Sequence, residues 1–122
     1  MPSSSAKEAL RRDASPWRAR RDEQQRELET VLDAIRCPVR QRILLALAAG
    51  GRAHVGGLVG RTGVSQKTLS HHLGHLRTAG LVFGQRSGKC IWYEAAATRV
   101  RYQRSGDGQF SLTVAARGAG WR

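Results

Sequence analysis

Apolar positions along the chain fall into short blocks of distinct period. The first block is Leu28, Val31, Leu32 and Ile35, the i, i+3, i+4, i+7 spacing of one helix face. "SPW" offers its start, with Ser15 as N-cap and Pro16 at the first helical position, where a missing N–H costs nothing. Before Leu28 this helix is nearly all charge and glutamine, so its early half is expected to be solvated or to lie against a polar partner. In "RCPVRQRILLALAAGG", Pro38 disfavours helical geometry at Cys37 and opens a second helix. Val39, Ile43, Leu44 and Leu47 face inward there, and Gly50 and Gly51 stop it. A short third helix, Val55 to Arg61, contains three glycines and must be held by packing. Gly63 suits a turn residue with positive φ, and Ser65 is a good N-cap for a fourth helix through Ala79, closed by Gly80. Two short helices joined by a tight glycine turn predict a helix-turn-helix.

The period then changes from helical to alternating. Leu81 to Arg86 and Lys89 to Glu94 read as strands around the turn "SG", a β-hairpin wing. A second hairpin is expected around "SGDG", from Val100 and Tyr102 on one side and Phe110, Leu112 and Val114 on the other. The expected fold is mainly α with a β-wing: a winged helix-turn-helix over residues 15–97 and a C-terminal hairpin extension over 98–116. Residues 1–14 are expected to be a disordered basic tail, and 117–122 a second tail.

Charge adds a partner to this picture. The 122-residue chain has room for one domain, and it carries 21 Lys and Arg against 9 Asp and Glu, a formal net charge of +12. Such an excess favours polyanions, nucleic acid above all. The longest apolar run, Ile43 to Ala49, is too short to cross a bilayer, and no secretory signal is visible. A cytoplasmic, reduced protein with no membrane partner is expected.

The chemistry concentrates in "VSQKTLSHHLGHLRTAGLV". Leu69, Leu73 and Leu76 form the buried stripe of its helix, while Gln66, Lys67, Ser70, His71 and Gly74 lie opposite. His72 sits beside the stripe and is expected to bond a neighbouring backbone group. His75 projects between the two sides. His71 and His75 are one turn apart and could chelate a metal, but no acidic or sulfur ligand lies near them in sequence. As a DNA reader the polar side makes sense: Gln pairs bidentately with adenine, Ser and His reach base edges or phosphates, and Lys supplies charge. Arg86 and Lys89 bracket the wing turn, where they can meet phosphates or a minor groove.

The stretch from about Ala34 to Ala95 resembles the ArsR/SmtB-type winged-helix repressors of bacteria. Its most specific pieces are "CPVRQRILLAL", "GVSQKTLSHHLGHLRTAGLV" and "RSGKCIWYEA". The resemblance implies a homodimer at the bacterial nucleoid, whose paired recognition helices read a palindromic operator in double-stranded DNA. It also implies a ligand at a separate site that loosens the grip. Ser65, Gln66, Thr68, Ser70 and His71 fall where the family's DNA-facing residues lie, with Arg86 and Lys89 at the wing tip; Lys67 joins them by its place on the same helix side. Arsenic-sensing members carry two cysteines where this chain has His54 and Gly56. Zinc-sensing members place acidic and histidine ligands on a final helix. Here the segment after Glu94 holds one acidic residue, Asp107, and no histidine. Neither familiar metal site is present, and no cofactor is expected.

The two cysteines, Cys37 and Cys90, form no recognisable framework. Cys37 sits at a helix N-terminus, where the dipole can make a thiol more reactive, so a thiol or soft-metal switch is one reading and two ordinary thiols the other. A protein-interaction module using the same winged helix is an alternative to DNA binding. An enzyme is not expected, because no phosphate loop, carboxylate pair or nucleophile–base motif occurs. Dimerisation is expected to use the first helix, with the last hairpin assisting.

Overall fold

A computed structural model describes the backbone of residues 4–117 and, from residue 16, their side chains. Helix α1 spans Ser4–Arg36, so it begins well before Ser15 and contains Pro16 rather than starting at it. The stretch expected to be disordered is therefore helical from Ser4. "AKEALRRDA" is rich in strong helix formers, and elongating an existing helix is favourable once it is nucleated. The expected tail at 117–122 lies, beyond residue 117, outside the described residues.

Helix α2 spans Pro38–Gly50, with Cys37 extended (φ −76°, ψ 125°) as a residue before proline should be. The α1–α2 corner satisfies carbonyls that α1 would otherwise leave unpaired. Arg40 Nε donates to the Ala34 carbonyl at 2.7 Å, and Gln41 Nε2 donates to the Ile35 carbonyl at 2.7 Å. Helices α3 (Val55–Thr62) and α4 (Gln66–Thr78) follow. The core forms where α2, α3 and α4 meet: Ile43, Leu44, Leu58, Leu69, Leu73, Leu76 and Leu81 are all buried, joined by Val82 and Tyr93 from the sheet.

Three antiparallel strands make the wing, in the order β1 (Ala53–His54), β3 (Cys90–Ala95), β2 (Val82–Ser87). Sequence pattern alone misses β1, since two residues are too few to display a period. The wing turn is also displaced by one residue. Ser87 pairs with Cys90, so the two-residue loop is Gly88-Lys89 rather than Ser87-Gly88. Gly88 has φ 64° and no non-glycine residue among those described has positive φ, which fits a turn with glycine at its first central position.

Strands β4 (Val100–Arg104) and β5 (Phe110–Val114) form the extra C-terminal hairpin. Val100 is buried against the core, and Leu112 and Val114 pack beside it. No helix among the described residues is long and apolar enough to cross a membrane.

Candidate nucleic-acid interface

The α3–turn–α4 unit is fixed from both ends. His54 caps α3, its Nδ1 accepting from the Gly57 N–H at 3.0 Å. A Cβ on Gly56 would stand 3.1 Å from that ring, a tight contact that glycine avoids. At the other end Gly63 takes the left-handed conformation (φ 70°), and its N–H returns to the Val59 carbonyl at 2.9 Å. The buried Thr62 hydroxyl donates to the Leu58 carbonyl and accepts from the Val64 N–H, which closes the turn.

Ser65 then starts α4 as expected. Its Oγ accepts from the Thr68 N–H at 3.4 Å and donates to Thr68 Oγ1 at 2.9 Å. Both hydroxyls are exposed but already engaged with each other, so their first role is to hold the helix start. Gln66, Lys67 and Ser70 are exposed and make no hydrogen bond to any described residue, leaving amide, ammonium and hydroxyl available to a ligand. Helical spacing sets Arg77, also exposed, on the same side as Gln66 and Ser70. Sequence reasoning passed over it, although its position relative to Ser70 was readable.

The three histidines differ in exposure and in company. His71 is exposed, and it walls a groove of about 550 Å³ with Gly74, His75 and Thr78 of α4, Thr30 and Asp33 of α1, and Arg40. Its ring meets the His75 ring edge-on at a centroid distance of 4.8 Å and the His72 ring at 5.2 Å. His72 is half-buried, and its Nδ1 is buried with no hydrogen-bond partner among the described residues. The backbone bond expected for it is absent at this nitrogen among the described residues. Desolvation lowers the His72 pKa below its ordinary 6.5, and the neighbouring charge of Arg40 and the other two imidazoles push the same way. A neutral ring is the form this position favours. No group of three or more His, Cys, Asp and Glu side chains among the described residues is arranged to hold a metal ion.

The wing presents Arg86 and Lys89, both exposed. Lys89 lies on the turn itself, whereas Arg86 stands one step back, opposite Ile91. At the wing base Arg52 stacks on Trp92 with its guanidinium carbon 4.8 Å from the ring, and His54 meets the same ring edge-on at 5.0 Å. Cys37 is half-buried, Cys90 is exposed on the wing, and both are free thiols.

Gly80 (φ 76°) ends α4 with a paired motif. The Gly80 N–H reaches the Arg77 carbonyl at 2.9 Å and the Leu81 N–H reaches that of Leu76 at 3.0 Å. Arg99 packs against this end and ties it to the C-terminal hairpin.

Comparison with known proteins agrees with this geometry. A family model described as bacterial regulatory protein, arsR family, matches residues 37–83. A biofilm growth-associated repressor of Xylella fastidiosa (strain 9a5c) is 36% identical over 86 residues, covering 69% of this chain and 75% of the relative. The crystal structure of the transcriptional repressor BigR from Xylella fastidiosa superposes with a TM-score of 0.58 at 32% identity, over 66% of this chain and 82% of that one. The homodimeric winged helix-turn-helix DNA-binding domain of Mb0332 from Mycobacterium bovis gives a TM-score of 0.60 at 29% identity, over 65% and 72% of the two chains. With its helix-turn-helix, its wing and a repressor relative matched over three quarters of that relative's length, this chain belongs to the arsR family of bacterial regulatory proteins.

Proposed function

We propose that this protein is a homodimeric transcriptional repressor that binds double-stranded DNA, placing α4 in the major groove and the wing against the flanking backbone. The observation that carries this reading is the outer side of α4. Gln66, Lys67 and Ser70 stand exposed and unengaged on a helix whose other side is locked into the core by Leu69, Leu73 and Leu76. A rigid helix with a free amide, a hydroxyl and a cation on its outer side suits base-edge and phosphate contacts together.

Each candidate has a distinct part. Gln66 and Ser70 read base edges, and Lys67 neutralises phosphate. Ser65 and Thr68 set the helix start, whose free N–H groups favour an anion. His71, on the groove side, reaches a flanking base or phosphate. Arg86 and Lys89 hold the wing to the backbone beyond the major groove. The chain acts by binding and release, not by catalysis, and the Cys37 and Cys90 thiols take no part in the contact.

The +12 charge makes phosphate neutralisation the main source of affinity, which falls steeply as salt rises. Two copies would read two half-sites related by a dyad, spaced by about one helical turn of DNA or a multiple of it. Selection of bound duplexes from a random pool tests the reading. A palindromic consensus supports it, and retention without any enrichment over random sequence overturns it.

A further inference from the structure

The C-terminal hairpin is seated on α2 by its first strand, β4, whose Val100 is buried. The second strand, β5, alternates Phe110, Leu112 and Val114 on one side with Ser111 and Thr113 on the other. Between that apolar side and the first turns of α2 lies a cavity of about 580 Å³, a size that small organic ligands occupy. Ile35, Pro38, Leu44 and Leu45 supply the facing wall. Exposure falls from 58% at Phe110 to 0% at Leu44, so the cavity has an open lip and a closed floor.

Two polar side chains also line it, and they differ. Gln41 already gives its amide N–H to the Ile35 carbonyl. Arg42 gives Nη1 to the Thr62 carbonyl at 3.3 Å and pairs with no carboxylate among the described residues, so most of its donors are unused. It is the one charged side chain in the lining. An apolar trough with a single unpaired cation suits a singly charged head on an apolar tail. A carboxylate supplies that head, since its two oxygens match the guanidinium fork. A second copy of this chain fits worse, because it would bring a net charge of +12 to a cavity that is itself positive.

We propose that this cavity binds an aliphatic monocarboxylate, its head on the Arg42 guanidinium and its tail between Leu45 of α2 and Leu112 and Phe110 of β5. The site shares no residue with α4. It nevertheless touches the helix-turn-helix, because Arg42 holds the last residue of α3, whose hydroxyl accepts from the Val64 N–H in the turn. A carboxylate is a stronger acceptor than a peptide carbonyl, so occupancy draws Arg42 off Thr62 and loosens the turn at that point.

Calorimetric titration of the full chain tests the site, with octanoate, octan-1-ol and butyrate as probes. Octanoate should saturate a single site per chain and bind about tenfold tighter than the uncharged alcohol or the short acid. Arg42→Gln should cost octanoate about tenfold and leave the alcohol unchanged, with circular dichroism to show that the fold is kept. Phe110→Ala, at an exposed position, should weaken octanoate and octan-1-ol alike. Hydrogen exchange at the Gly63 and Val64 amides should quicken when octanoate is added to the wild type, and not when it is added to Arg42→Gln. Many octanoates per chain, indifferent to Arg42→Gln, would reflect net charge alone and overturn the site. Absence of saturable binding overturns it too, and a dimer weakened by Phe110→Ala in sedimentation velocity would then give the face to a second copy. Binding with unaltered exchange at the turn overturns the link to the helix-turn-helix.

Discussion

Arg99 Nη1 donates a 2.7 Å hydrogen bond to the carbonyl of Ala79, the residue that caps α4. The same guanidinium reaches the Ala115 carbonyl through Nε at 3.2 Å, while the Ala115 N–H returns to the Arg99 carbonyl at 2.7 Å. One side chain therefore fastens the C-terminal hairpin to the end of α4. Arg99→Ala should cost about 1.5–3 kcal/mol, the range for hydrogen bonds to a charged group whose partners are left behind. Thermal melting should fall by several degrees, and amide exchange should speed up across β4 and β5 before it does in α2.

Gly80 is the other half of that junction. Its φ of 76° is unfavourable for any residue with a side chain, and an added Cβ would stand 2.5 Å from Arg99 Nη1. Gly80→Ala should therefore destabilise by about 1–3 kcal/mol from backbone strain alone, with a further loss as Arg99 is displaced. Denaturant unfolding of Gly80→Ala, Arg99→Ala and the double variant would show it. The two losses should not add, because both act on one contact.

Base reading and phosphate binding should separate by residue. Gln66→Ala or His71→Ala should cost about 1–3 kcal/mol on the cognate duplex and relax base preference. Lys67→Ala, Arg86→Ala and Lys89→Ala should weaken cognate and random duplexes alike, each lowering the salt slope by about one. Fluorescence anisotropy at several salt concentrations distinguishes the two patterns. Equal losses on both duplexes for the Gln66 variant would remove it from the readers.

Stability should depend on pH through His72. Its folded pKa lies below the unfolded value of 6.5, so the unfolded chain takes up this proton first. The contribution is complete above about pH 6.5 and is lost as pH falls from there toward the lower folded value. His72→Gln should flatten that limb of the stability curve, which urea unfolding between mildly acidic and neutral pH would measure.

Much of this molecule was legible in its pattern, and the failures have physical causes. Leucines 69, 73 and 76, the glycine at 63 and the serine at 65 each announce a helix-turn-helix through local rules, and all three kinds of signal held in the structure. The start of α1 was misread because Ser15-Pro16 is a sound beginning in isolation, yet a helix already under way upstream runs through it. Strand β1 was invisible, being specified by its partner Trp92 and Tyr93 rather than by its own two residues. At the candidate site, Gln66, Lys67 and Ser70 could be placed outward by periodicity alone. The engagement of Ser65 with Thr68 and the groove beside His71 depend on rotamers and on α1, which no local window contains.

His54 joins two parts of the proposed reading surface: its ring caps α3, while its backbone pairs with Trp92 at the wing base. Helix pair and wing are thereby set at a constant gauge, like the jaws of a caliper locked at one opening. A duplex gripped by both must supply any bending itself, so that flexible steps lying untouched between the contacts would raise affinity and stiff ones would lower it.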